Sequence, residues 1–341
     1  MTLRFRLHSM VLFAGWLLLA GCSRDAGTPV AGPGQASPSS AEPVAVEIAL
    51  NWYPEAEHGG FYAALLNGEY EKEGLKVTIR PGGPQAPALQ QVATGQVQFC
   101  VDNADKLLLA RAQQADVVAV MVPIHDSPRC ILVHESSGIQ TFDDLAKRDG
   151  LKLAINTGQP FAQYLQSKLD LSKAQIVPYP GNVVQFVLDE NYAQQAYSFS
   201  EPFAASEKGV KSRTLMVSEL GFNTYTSALM TSRKMLETQP ELVRKVVRAS
   251  LRGWQQYLQD PGATNAHIHE QNLEMGLGIL EFGVNGLKPL CRDPQGSAAE
   301  FGRMDPQRWT ELVQQMETAG SLKAGAVAPA DAYTNEFLPA E

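Results

Sequence analysis

The sequence predicts an α/β protein of two lobes, each a sheet flanked by helices, with a ligand cleft between them. Strand-like and helix-like runs alternate from Val44 to residue 127, the alternation restarts after Pro128, and past Tyr225 long amphipathic helices replace it. In the first series "VAVEIAL", "LKVTIRPG", "VQFCV" and "VVAVMVPI" read as strands, and "HGGFYAALLNGEYEKEG", "APALQQVATGQ" and "ADKLLLARAQQ" as helices. The second has strands "CILVHE", "LKLAIN", "QIVPYP" and "AQQAYSF", separated by helices "TFDDLAKRDG", "PFAQYLQSKLD" and "NVVQFVLDEN". Short links between alternating elements imply parallel strands. The boundaries expected are 44–127 with 225–339 for the first lobe and 128–224 for the second.

The closing helices show why they pack. "PELVRKVVRASLRGWQQYLQDP" sets Leu242, Val243, Val246, Val247, Leu251, Trp254 and Leu258 on one stripe, opposite Arg244, Lys245, Arg248 and Gln255. "DPQRWTELVQQMETAG" repeats the device, with Asp305 as N-cap and Gly320 as stop. Neither carries a catalytic signature.

The chain has 341 residues, 44% hydrophobic and 19% charged, an ordinary globular composition with a formal charge of -8. The first 22 residues hold Arg4, Arg6 and no acid, so without them 26 basic residues face 36 acidic ones, a charge of -10. Such a surface repels phosphate backbones, and no Lys/Arg run with interleaved aromatics offsets it; nucleic acid is not an expected partner.

Those 22 residues read as an address. A positive start, an apolar run from Met10 to Ala20 and "LLAGC" ending at Cys22 resemble the lipobox of bacterial lipoproteins; the alternative is an ordinary signal peptide with a chance cysteine. The apolar run falls short of the roughly 20 residues a membrane crossing needs. Residues 23–43 are mostly Ser, Gly, Pro and Ala with Val30 the one large apolar side chain before Val44, a tether of about 25 Å mean reach if flexible. An extracytoplasmic, lipid-anchored body is expected. Of the other cysteines, Cys100 and Cys130 are the pair to test for a disulfide, with buried free thiols the alternative, and Cys291 stands apart.

Catalytic templates are absent: there is no Walker A loop, GxGxxG or GxSxG, and "HESSG" at His134 shares only two letters with the HExxH zinc motif. "HIHE" at His267 is the sole close histidine pair, and residues two apart on a helix face away from each other. No metal, cofactor or enzymatic role is expected.

In open α/β sheets, ligands sit beyond the carboxyl ends of strands. Trp52 and Tyr53 follow the first strand directly, and His58 opens the next helix, offering flat rings for stacking and an imidazole for a heteroatom. Alternation sends Trp52 and Tyr53 to opposite sides, so one faces ligand and the other core. "VDNAD" sets Asp102 and Asn103 at an equivalent end, where either serves as helix cap or ligand group. "INTGQP" contributes Thr157 and Gly158 with Asn156 and Gln159; "YSFSEPF" contributes Tyr197, Ser200 and Glu201, with the Glu201 carboxylate set to accept from a ring amine. Tyr225 is read as a lobe-closing aromatic or a core residue. Hinges are expected near "HDSPRC" (125–130) and "SELGFNTYT" (218–226), punctuated by Pro128 and Gly221.

"LNWYPEAEHGGFYAALLNGEYEKEGLKVTI", together with "QQVATGQVQFCVDNADKLLLARAQ", "SEPFA" and "YTNEFL", resembles the NMT1/THI5-like family over nearly all of residues 44–339. The resemblance implies a type II periplasmic binding protein-like fold, and a monomer that holds a small heteroaromatic, a thiamin pyrimidine precursor first, for an ABC permease and ATPase. The family also includes pyrimidine synthases, whose pyridoxal-phosphate lysine and ring-donating histidine correspond to Asp102 and Lys106, and whose iron-binding cysteine run corresponds to "GFNTYTS" at 221–227. None of the three is matched, so the synthase chemistry is not expected. Fold relatives that take sulfonate, nitrate or bicarbonate need cations or many amide donors, and only Lys106 and Arg129 lie near the strand ends. Riboflavin-like rings stay open.

Overall fold

The computed structural model describes residues 42–291 and 297–340. The expected leader, Cys22 and the expected tether up to residue 41 lie outside the described residues. Ten strands among these residues make two five-stranded sheets. The first combines β1 (Val44–Leu50), β2 (Leu75–Arg80), β3 (Phe99–Asp102), β4 (Val117–Met121) and β10 (Ala228–Ser232) in the order β2-β1-β3-β10-β4. The second combines β5 (Arg129–His134), β6 (Lys152–Ala154), β7 (Gln175–Val177), β8 (Tyr192–Tyr197) and β9 (Ser212–Met216) in the order β7-β6-β8-β5-β9.

Both sheets are mixed, which corrects the expectation of parallel strands. β1 runs parallel to β2 and β3, but β10 is antiparallel to β3 and β4; β6 runs parallel to β7 and β8, but β5 is antiparallel to β8 and β9. The cause is the double crossing of the chain. Thr226 N–H bonds the Ile124 carbonyl at 3.1 Å, so the returning chain starts where β4 has just ended, and β10 must run back along it.

The two crossings are fastened to each other. Ser127 N–H donates to Asn223 Oδ1 at 2.7 Å, Asn223 Nδ2 donates to Asp126 Oδ1 at 2.9 Å, and the Arg308 guanidinium donates to the carbonyls of His125 and Asn223. Arg308 comes from the helix Pro306–Thr318, whose Asp305 cap accepts from Gln307 N–H as its sequence predicts.

The helix expected over 58–74 is two helices, Gly59–Leu66 and Glu69–Lys72, because Gly68 adopts a left-handed conformation (φ 68°) between them. The helix Pro240–Gln259 lies across the first. A Cβ on Gly60 would stand 2.0 Å from the Trp254 ring, and one on Gly253 2.4 Å from the Gly60 carbonyl, so two glycines permit this close approach. Val46, Ile48 and Leu50 face that helix layer, while Ala49 and Cys100 belong to the core on the sheet's other side, a strict period of two. Cys100 in β3, Cys130 in β5 and Cys291 are buried free thiols, the first two in different sheets. No helix among the described residues is long and apolar enough to cross a membrane.

Candidate functional site

The chain after β1 turns at Asn51–Glu55 into a short 3-10 turn, Ala56–His58, and this turn is buried although it carries two acids and a histidine. His58 is 0% exposed; its Nε2 lies 3.0 Å from Asn51 Oδ1, and burial lowers its pKa to about 3, so the imidazole is neutral. Burial also raises Glu57 to about 7, against the opposing charges of Arg129 and Lys106. Glu55 is raised well above the usual carboxylate range by burial and by the like charges of Glu57 and Glu201. Oε2 of Glu57 has no hydrogen-bond partner among the described residues.

Facing this turn is the end of the second sheet. Register pairs Arg129 with Tyr197 across β5 and β8, and the guanidinium lies 4.2 Å over the Tyr197 ring and 4.7 Å over that of Phe161. Glu201 is held by the Tyr179 hydroxyl, which donates to Oε1 at 2.8 Å, and by the Tyr197 N–H, which donates to Oε2 at 2.8 Å. Burial and the neighbouring Glu201 raise the Tyr179 phenol, so it stays a donor at neutral pH.

Asn103 joins the two sheets. Its Nδ2 donates to the Tyr197 hydroxyl at 3.0 Å, and its Oδ1 accepts from Ser227 N–H at 3.3 Å. Ser227 sits at φ 53°, an unusual conformation for a residue with a side chain. Asp102 accepts from Asn103 N–H at 2.8 Å and pairs with Lys106 at 3.5 Å. Behind them Asp105 is buried with Oδ1 unpartnered, and burial raises its pKa.

Of the residues singled out from sequence, His58, Asp102, Asn103, Tyr197 and Glu201 therefore gather where the sheets meet, though His58 is covered and Glu201 already accepts two bonds. Trp52 is half-buried and stands edge-on to Tyr53 at 5.5 Å; Tyr53 is 49% exposed beside Gly83. Thr157 and Gly158 lie exposed after β6, with Gly158 N–H turned back to Asn156 Oδ1. Tyr225 is a core residue at the crossing: it is 1% exposed, its hydroxyl accepts from Asp305 N–H at 2.8 Å and Arg308 covers its ring. His267 packs near the Tyr62 ring and His269 bonds the Met275 carbonyl. Cavities of about 310 Å³ beside Gly82–Gln91 and about 440 Å³ beside Arg244 and Glu336 have no lining residue from the second sheet.

Sequence reasoning missed Glu55, Glu57, Asp105, Tyr179 and Phe161. The first two leave one trace in the sequence, acids spaced two apart inside "YPEAEHGGF", a segment otherwise aromatic, small or apolar, but that trace alone does not say they are buried.

The chain belongs to the NMT1/THI5-like family, whose model matches residues 55–264. It is 27% identical over 337 residues, 95% of each chain, to the riboflavin-binding protein RibY of Chloroflexus aurantiacus. It is 23% identical to the formylaminopyrimidine-binding protein of Halalkalibacterium halodurans, covering 85% of this chain and 89% of that one. The 4-amino-5-hydroxymethyl-2-methylpyrimidine phosphate synthase of Legionella pneumophila matches only in part, 28% identical over 31% of this chain and 34% of its own. The fold is that of periplasmic binding proteins. The aliphatic sulphonate-binding protein SsuA of Escherichia coli superposes with a TM-score of 0.60 at 17% identity, over 82% of this chain and 86% of that one.

Proposed function

We propose that this chain is the extracytoplasmic solute-binding protein of an ABC importer and that it carries a flat nitrogen heterocycle, without converting it, in the gap between its two sheets. The observation that carries this reading is the meeting of the turn after β1 with the start of β5 and the end of β8: a carboxyl at Glu57 held toward its neutral form, a cation at Arg129 and the rings of Tyr197 and Phe161 converge on one place, from segments far apart in the chain. Polar groups of both kinds beside aromatic faces suit a ring with donors and acceptors on its rim. The full-length likeness to proteins named for riboflavin and formylaminopyrimidine supports the same ligand class. A thiamin pyrimidine precursor and riboflavin are the two ligands put forward. Asp102 and Lys106, which pair at 3.5 Å, stand where the synthases carry their lysine and histidine, which speaks against the synthase reading.

In this reading residues 44–127 with 225–339 form one lobe and 128–224 the other, the ligand closes them about hinges near 125–130 and 218–226, overlapping the crossings at 122–128 and 217–227, and a permease and ATPase receive the closed form. The protein works as a monomer, anchored through a lipidated Cys22. Mass spectrometry of what co-purifies, followed by thermal shifts with hydroxymethylpyrimidine, its formylamino analogue, riboflavin and taurine, tests the proposal. A heterocycle should stabilise the protein; stabilisation by taurine alone would refute the reading.

A further inference from the structure

The Arg129 guanidinium is an unusual cation for its surroundings. The charges of Glu55, Glu57, Asp105 and Glu201 all act on it or are acted on by it, yet among the described residues no carboxylate, carbonyl or hydroxyl accepts a hydrogen bond from its side chain. It is fixed by ring faces instead, 4.2 Å from Tyr197 and 4.7 Å from Phe161. Stacking holds a guanidinium's plane and leaves its edge of N–H donors directed outward. The potential acceptors nearby are turned elsewhere: Glu201 to Tyr179 and the Tyr197 N–H, Asp102 to Asn103 and Lys106. Arg129 is half-buried, so its donors stay within reach of a molecule in the gap.

We propose that Arg129 is the specificity-determining residue of the site, selecting a ring edge that presents carbonyl oxygens around an N–H, as an isoalloxazine or other cyclic ureide does, over the amine edge of an aminopyrimidine. The proposal rests on the reading of the site as a heterocycle clamp. Arginine has donors only, so it meets carbonyl oxygens well and meets an exocyclic amine or a protonated pyrimidine ring with repulsion. With its folded pKa near 7 Glu57 ionises readily beside Arg129, and its unpartnered Oε2 then supplies the acceptor that the ring N–H between two carbonyls requires. A site built to satisfy such an edge discriminates strongly against a ring that leaves its buried groups unpaired.

The test is equilibrium binding to the full-length protein of riboflavin, 3-methylriboflavin and 4-amino-5-hydroxymethyl-2-methylpyrimidine, with Arg129→Gln and Arg129→Lys alongside. The wild type should bind riboflavin at least about tenfold more tightly than either of the other two, and each variant should lose roughly 10- to 100-fold of riboflavin affinity. Lysine keeps the charge but not the fork, so full affinity in Arg129→Lys would reduce Arg129 to a counter-ion and overturn the proposal. Tighter binding of the aminopyrimidine, or equal binding of 3-methylriboflavin, would overturn it in the wild type alone, whatever the variants' folding. Binding of none of the three by the wild type would instead bring down the clamp reading on which it stands.

Discussion

The crossings between the sheets and the turn after β1 lie in the same molecule under opposite rules. At the crossings the side chains that tie the two strands of chain are engaged: Asn223 both accepts and donates, Arg308 ties two carbonyls, and Tyr225 accepts from Asp305, while the Thr226 and Ser227 hydroxyls beside β10 are buried without partners. In the turn and across from it, Glu57 Oε2 and Asp105 Oδ1 are unpartnered, Glu55 and Glu57 are held toward their neutral forms, and Arg129 rests on rings. The difference teaches where the fold is fixed by its own contacts and where it keeps capacity in reserve. Completed hydrogen bonds hold an axis; incomplete ones carry a cost that a bound molecule can offset.

This contrast predicts distinct pH and mutational responses. The largest belongs to His58. A histidine whose folded pKa is near 3 instead of 6.5 binds fewer protons folded than unfolded, so its contribution to stability is lost as pH falls from 6.5 toward 3, about 5 kcal/mol over the full window. Urea unfolding of His58→Gln should show a flatter acid limb than the wild type. Glu57 acts in the opposite direction. Its folded value of about 7 lies above the usual 4.5, so the stability it confers is complete below 4.5 and disappears as pH rises to 7, about 3 kcal/mol. Glu57→Gln should remove that decline in the ligand-free protein, and an unchanged slope would contradict the protonated turn.

Smaller effects separate the two regions further. Arg308→Ala leaves two carbonyls at the crossings without their donor and should cost about 2 kcal/mol in urea unfolding, independent of pH between 5 and 8. Tyr53→Ala, at a half-exposed ring, should change stability by under about 0.5 kcal/mol. A loss several times larger would mean that the Trp52 and Tyr53 edge is part of the core.

Much of the fold is legible in the sequence because apolar runs mark strands buried on both faces, as in β3, β4 and β5. β9 and β10 escape notice: "SRTLM" and "ALMTS" are short and half polar, and their place is set by the crossings rather than by local pattern. Strand-end logic finds the turn after β1 and Asn103, since position along a strand is a local property. It cannot see that Tyr179, 22 residues upstream, occupies Glu201, or that Asp305 N–H reaches the Tyr225 hydroxyl across 80 residues. Glu55 and Glu57 are overlooked for a different reason: acids near a helix start ordinarily face water, and only tertiary packing buries them here.

A crystal structure of the protein saturated with riboflavin tests the central claim most directly. The account predicts a ring touching residues of both sheets, with Arg129 and Glu57 within hydrogen-bond distance of its edge and the crossings at 122–128 and 217–227 keeping their mutual bonds. A ring bound instead in the cavity beside Gly82–Gln91, with Arg129 still stacked and uncontacted, would contradict it.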